Sequence, residues 1–364
     1  MNLHMTRREF IRNASFAALA AGGLPSALAA GKTLTMGLVG CAHIHTPGYI
    51  NLLKKRQDVT VKSVWDHDVA RAEKRAEELG ARVVKDASQI WSDHEIAGVV
   101  ICSETNRHHD LVLAAAKAGK HIFAEKPLGI SAKESYAMAD AIEKANLLFT
   151  TGYFMRTDPM HRFLKDEIAK GNFGKITRVR GSNCHGGSLG GWFDQEWRWM
   201  ADPKIAGVGA FGDLGTHKLD ILMWLLGDVD SVTADIQVVT QRYGDCDESG
   251  EALIRFKNGV IGTLAAGWVD VDDPVQLLIS GTEAHAVIVN GRLYYKNKKM
   301  ADADGKEPYT HLPPALPAPL DQFVDAVAGK RDQALVKPRE AAARVSVMEA
   351  AYKAARGRKW EKPV

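Results

Sequence analysis

Cysteine is scarce in this chain, with four residues in 364: Cys41, Cys102, Cys184 and Cys246. No pair has the Cys-x-x-Cys spacing, which argues against a cysteine-built zinc site. Free, mostly buried thiols are expected, with a Cys184–Cys246 bridge left open. An excess of charge of one sign is missing too. The formal net charge is +3, which gives no reason to expect nucleic acid or an anionic membrane as a partner. Long apolar runs are also lacking. The stretch from Ala14 to Ala21 falls well short of the roughly 20 residues of a membrane-spanning helix, so no stable membrane insertion is expected. What is present is an ordinary 46% of hydrophobic and 25% of charged residues, enough for a large core without disulfides or metals.

The first thirty residues stand apart. Thr6-Arg7-Arg8-Glu9-Phe10 is followed by the apolar stretch and then by small residues around Ala27-Leu28-Ala29. This order looks like a twin-arginine export signal with a cleavage site, so the mature chain is expected to be periplasmic or otherwise exported. Without residues 1–30 the chain loses three arginines and one glutamate, and its formal charge falls to +1. At roughly 100–200 residues per domain, the remainder is long enough for two domains.

From Lys32 to about Thr151, short apolar runs alternate with helical segments. Strands are expected at Leu34–Val39, Val59–Trp65, Arg82–Val84, Gly98–Ile101, His121–Ala124 and Leu147–Thr150. Helices are expected from near Pro47 and at Val69–Leu79, His108–Ala118 and Ser131–Ala145. This alternation implies βαβ units and a parallel sheet. The first strand-to-helix turn reads Gly40-Cys41-Ala42-His43-Ile44-His45, keeping only the first glycine of Gly-x-Gly-x-x-Gly. A helix N-terminus follows, where a phosphate can still bind. Asp66 closes the second strand, where a carboxylate would meet the ribose hydroxyls of NAD. His67 and Arg71 leave NADP open. The His43-x-His45 pair also suits a metal, but it lacks the further ligands of a barrel hydrolase; phosphate or packing contacts are favoured and no metal is expected.

Ser103-Glu104-Thr105-Asn106-Arg107-His108 follows the fourth strand, and Ala118-Gly119-Lys120-His121 and Glu125-Lys126-Pro127 come after the next helix. With these segments the chain resembles the glucose–fructose oxidoreductase/inositol dehydrogenase (Gfo/Idh/MocA) family. It departs from the family pattern at Ser103-Glu104-Thr105, where a proline is missing. The resemblance implies that Gly40, Ala42, His43, His45, Asp66, Ser103, Thr105, His108, Glu125 and Lys126 hold a nicotinamide cofactor.

In the second half, Gly207–Asp220 carries Asp213 and His217 four residues apart, hence on one helical face, with Asp220 three further on. By residue type alone, a helix-capping aspartate and a core histidine would be the plainer reading. The family pattern makes Asp213 and His217 a proton-relay pair and Lys126 the third catalytic contact. Arg156 follows Met155, which stands where relatives often carry Asn, and is a substrate candidate. So are Trp192 and His185, beside a glycine-flanked aromatic loop expected to be mobile. For Trp192, a sugar pocket and a hydrophobic plug are evenly balanced.

From Lys175 to Ile288 the chain is mostly strand-like, with a hairpin signal at Lys257-Asn258-Gly259. The expected fold is α/β: an N-terminal Rossmann doubly wound parallel sheet plus a C-terminal α+β domain with a large, mostly antiparallel sheet. The domains are read as a signal peptide at 1–30, a nucleotide-binding domain at 31–152 and a substrate and oligomerisation domain at 153–319. Helices in 320–364 are read as packing back on the nucleotide domain. The expected activity is hydride transfer between a tightly bound NAD, with NADP open, and a carbohydrate or polyol carbon, in a homo-oligomer joined through the C-terminal sheet. The alternatives are redox-neutral glycoside cleavage or sugar isomerisation through transient oxidation, and a non-catalytic nucleotide-binding protein.

Overall fold

A computed structural model describes residues 33–364; the export-signal reading falls on residues outside these. Two compact units are formed. The first runs to Gly152 and takes in Pro317–Ala342, and the second is Tyr153–Leu316 with Ala343–Val364.

The first unit is built from β1 (Leu34–Val39), α1 (Thr46–Lys55), β2 (Val59–Trp65), α2 (Val69–Leu79), β3 (Arg82–Val83), β4 (Gly98–Ile101), α3 (His108–Lys117), β5 (His121–Ala124), α4 (Ala132–Lys144) and β6 (Phe149–Thr151). Local chemistry sets several boundaries. Asp68 caps α2 by accepting from the amides of Ala70 and Arg71, and Gly80 at φ 63° ends it; Ser131 caps α4. The six strands are all parallel, in the order β3-β2-β1-β4-β5-β6. The order reverses between β1 and β4, and in open sheets of this kind ligands bind outside the carboxyl ends at that reversal. Met36 and Leu38 of β1, Val64, Val100 and Phe123 form the core beside it.

The second unit follows with α5 (Pro159–Ala169), β7 (Ile176–Cys184), α6 (Ala210–Leu226), β8 (Val229–Gln237), β9 (Ser249–Phe256), β10 (Ile261–Gly267), β11 (Val275–Gly281), β12 (Ala284–Val289) and β13 (Arg292–Asn297). Its sheet has the order β13-β12-β11-β7-β10-β9-β8. Every pairing is antiparallel except β7 with β10. The sequence reading carries the strand-like region to Ile288, and β13 extends the sheet beyond it through a hairpin with β12. Asn290 and Gly291 both take positive φ there, 49° and 69°, as a two-residue primed turn requires. The apolar helix α6 lies on β7, β9 and β10.

The last segments, α7 (Pro319–Val327) and α8 (Pro338–Gly357), correct the domain reading. Leu320, Phe323 and Val324 of α7 do join the core of the first unit. Beyond Ala343, however, α8 belongs to the second unit, because Arg344 bonds Asp220 and Tyr352 bonds Asp247. All four cysteines are free. Among the described residues, no helix is long and apolar enough to cross a membrane.

Candidate functional site

In the first unit, the predicted cofactor residues converge on the strand ends at the sheet's reversal point. Gly40 leaves β1 at φ 78°. A Cβ there would lie 2.5 Å from Ser103 Cβ and 2.6 Å from its backbone, so only glycine lets the turns after β1 and β4 pass this closely. Asp66 organises the neighbouring corner. One of its oxygens accepts from the Cys41 amide at 2.6 Å. The other accepts from the Asp68 amide at 2.7 Å and from Arg71 at 2.9 Å. Arg71 also bonds Glu104 at 2.8 Å. The sequence offered Arg71 as a phosphate partner; the fold ties it between two carboxylates.

Glu125 is fully buried. It accepts from Tyr49, lies 2.9 Å from His45 Nδ1, and takes the Lys126 amide at 2.8 Å. Burial would raise its carboxyl, but His43, His45 and Lys126 hold it well below the usual carboxylate range. His43 and His45 bring their rings to 4.6 Å centroid separation. The ligating atoms of His43, His45 and Glu125 all fall within 4.8 Å of one another, a grouping the hydrogen bonds already account for. His45, standing where the third glycine would be, thus reaches across the sheet to Glu125. Tyr49 was missed in the sequence, although it lies one helical turn after His45.

Lys126 follows at the carboxyl end of β5, with a side chain only 2% exposed. His108 fixes the turn that carries it. Its Nδ1 lies 3.2 Å from the carbonyl oxygens of Pro127 and Leu128, and its Nε2 lies 3.2 Å from that of Ser103. Burial pushes the ring below its ordinary pKa, so the neutral form donates one N–H at a time. His108 is a positioning residue on this geometry. Thr105 is buried at the start of a short turn after β4.

In the second unit, α6 carries Asp213 and His217, as the four-residue spacing requires. Asp213 lies in the first turn rather than at the cap, which is Gly209. It accepts from the Trp268 indole at 3.2 Å. His217 is buried, with the rings of Tyr153 and Phe154 at 6.2 Å and 5.1 Å. Arg156 grips Asp220 through two bonds of 2.8 Å and 2.6 Å, and Arg344 adds a third at 2.9 Å. A residue expected to read substrate is therefore part of a buried Arg–Asp–Arg clamp on α6.

The aromatic loop also departs from expectation. Trp192 is buried against His185, ring centroids 4.7 Å apart. The Ser188 amide bonds the Trp268 carbonyl at 2.9 Å, and Trp192 bonds Gly187 at 3.0 Å. Phe193 stacks on Trp268 at 4.2 Å. The loop is thus tied to Trp268 through Ser188 and Phe193, with Trp192 folded back on its own loop.

Comparison with known proteins fits this geometry. Residues 34–153 match the family described as "Oxidoreductase family, NAD-binding Rossmann fold", and residues 161–287 match the "GFO/IDH/MocA C-terminal domain". Together they span more than half of the chain, which belongs to the Gfo/Idh/MocA family of NAD-binding oxidoreductases. It is 29% identical over 241 residues to a myo-inositol 2-dehydrogenase of Thermotoga maritima, an overlap of 64% of this chain and 67% of that one. It is 28% identical over 281 residues to the scyllo-inositol 2-dehydrogenase (NAD(+)) of Bacillus subtilis, covering 75% and 78%. The 32% identity to the levoglucosan dehydrogenase of Pseudarthrobacter phenanthrenivorans extends over 203 residues, about half of each protein (50% and 52%). In fold, the chain superimposes on levoglucosan dehydrogenase in complex with NADH with a TM-score of 0.76 at 24% identity, covering 91% of this chain and 99% of the other.

The loop after β1 fits a dinucleotide despite its lost glycines. The amides of His43, His45 and Thr46 are used internally. Those of Ile44 and Gly48 meet no acceptor among the described residues, leaving donors at a helix start that carries no acidic residue in its first turn. Asp66 stands at the end of β2, where the ribose hydroxyls would be bound.

Proposed function

We propose that this chain oxidises a secondary alcohol of a carbohydrate or polyol, and reduces the matching ketone, with NAD as hydride partner. The observation that carries the reading is Lys126: a buried lysine at the carboxyl end of β5, its backbone amide held by Glu125 and the turn after it held by His108, inside an NAD-binding domain. The inositol and levoglucosan dehydrogenases among its relatives supply the substrate class. In the first unit, Lys126 would donate to the reacting oxygen and stabilise the charge that develops as its proton leaves. In the second unit, His217 would take that proton and return it in the reverse direction, with Asp213 as its helical neighbour. The nicotinamide, when bound, accepts the hydride released from the carbinol carbon. Asp66 favours NAD over NADP, since a 2′-phosphate would meet like charge.

The test is direct. Wild-type protein with NAD and a panel of inositols and anhydrosugars should accumulate reduced nicotinamide, and Lys126→Ala and His217→Ala should not. Glycoside cleavage without net reduction would instead favour the redox-neutral alternative. Folded variants that turn over at the wild-type rate would overturn the assignment.

Three further readings belong to the same proposal. Residues 1–30 act as a twin-arginine export signal, which Arg7→Lys with Arg8→Lys should inactivate in a reporter fusion. The cofactor stays bound, because free NAD is scarce outside the cytoplasm, and purified protein should retain it through dialysis. Copies of the chain associate through the C-terminal sheet, where Leu253 and Ile261 are exposed; light scattering would report the assembly.

A further inference from the structure

Glu104 stands in the turn after β4, at the position where the sequence departs from the family pattern. It is buried, 7% exposed, and its carboxylate lies between two arginines. Arg71, in the first turn of α2, uses one nitrogen for two partners. Its Nη2 donates to Glu104 Oε1 at 2.8 Å and to Asp66 Oδ1 at 2.9 Å. On the other oxygen of Glu104, Arg107 Nε lies 3.6 Å away. Since β2 and β4 flank β1 in the sheet, the Asp66–Arg71–Glu104 bridge joins the two sides of the cofactor loop. The arginine side chains remain reachable from solvent, 21% exposed for Arg71 and 44% for Arg107.

An arginine beside a ribose-binding carboxylate can serve either cofactor. The carboxylate accepts from a 2′-hydroxyl, whereas a nearby guanidinium can pair with a 2′-phosphate. Asp66 and Arg71 supply both halves of that choice, five residues apart. Glu104 tips it in two ways. It gives Arg71 a second carboxylate to hold, and it changes the charge of the corner. Asp66, Asp68 and Glu104 face Arg71 and Arg107, three carboxylates against two guanidiniums. Without Glu104 the corner would be balanced, and the Arg71 hydrogen bond to it would be released.

We propose that Glu104 sets the cofactor choice, by holding Arg71 on the protein and keeping the corner net negative against a 2′-phosphate. This rests on the NAD reading above and assigns the discrimination to a residue that does not itself need to touch the ribose. Glu104 is a positioning residue, acting through Arg71. A tether that served stability alone would lower Tm when cut and leave nucleotide preference where it was.

The experiment measures, by calorimetry on the full chain at fixed ionic strength, the Kd of 5′-AMP and of adenosine 2′,5′-bisphosphate. The two ligands differ only in the 2′-phosphate, so the ratio of their Kd values reads the corner directly. Wild type should favour 5′-AMP. Glu104→Gln should move the ratio about 10- to 100-fold toward the bisphosphate, the weight of a charged hydrogen bond gained. Adding Arg71→Met should take most of that gain back. Glu104→Pro removes the carboxylate by a second route, since the φ of −60° at this position already suits proline, and should move the ratio the same way. A ratio unchanged in both Glu104 variants while 5′-AMP still binds would overturn the proposal and leave the NAD reading standing. So would a gain that survives Arg71→Met. Wild type that binds neither ligand would sink both. Where a polyol is turned over, the kcat/KM ratio of NADP to NAD should shift in the same direction.

Discussion

Glu125 in the first unit and Lys218 in the second are both buried charges, and the fold treats them in opposite ways. Glu125 has His45, Tyr49 and the Lys126 amide on its two oxygens. Lys218 has electrostatic neighbours but no bonded partner among the described residues. A satisfied buried carboxylate is part of the frame, since folding alone meets its needs. An unsatisfied buried ammonium opposes folding and gains its partner only when something binds. The first unit is therefore pre-set around its cofactor loop, while the second holds polar capacity in reserve.

The largest effects should come from the groups assigned to chemistry. Lys126→Ala and His217→Ala are each expected to lower kcat by about 10²- to 10⁴-fold, the usual weight of a positioned proton-transfer or charge-stabilising group. Single-turnover kinetics with NAD bound would measure it. Glu125→Ala should be the most damaging change to stability. It leaves His45 and Tyr49 without their common partner and should cost about 3–5 kcal/mol in urea unfolding. The pH dependence has a definite sign. Because Glu125 is held below the usual range when folded, its stabilisation is present above the unfolded carboxyl pKa of about 4.3 and is lost as pH falls through the folded value.

Gly40→Ala should cost about 1–3 kcal/mol, since it forces a side chain into positive φ and against Ser103, and should weaken NAD binding in calorimetry. Lys218→Met should have the smallest effect, in the opposite direction. The Lys218 ammonium is lowered by burial to about 8 from 10.5. Between those values the unfolded chain holds a proton that the folded chain has released, so wild-type stability should rise with pH across that window. Lys218→Met removes the buried charge, so it should raise Tm at neutral pH and flatten that rise. A fall in Tm at neutral pH would show that Lys218 is already paid for within the frame, and the contrast with Glu125 would collapse.

Much of this architecture was legible in the sequence, because strand-and-helix alternation is a local signal. The strands β1, β2, β4 and β5 have the boundaries their apolar runs imply. Asp213 and His217 share a face by helical geometry alone. The partnerships were not legible. His45 and Glu125 are 80 residues apart, and Arg156 meets Arg344 through Asp220 only once the fold has formed. No local pattern announces either. Two local signals were nonetheless present and unread: Asn290-Gly291 joining β12 to β13, and Asp158-Pro159 opening α5.

The most direct test of the central claim is a single trace: absorbance of reduced nicotinamide after a polyol is added to NAD-loaded protein. Wild type should reduce the cofactor in a burst on at least one inositol or anhydrosugar, and Lys126→Ala should show none while retaining the same amount of bound NAD. An equal burst in Lys126→Ala would contradict the account.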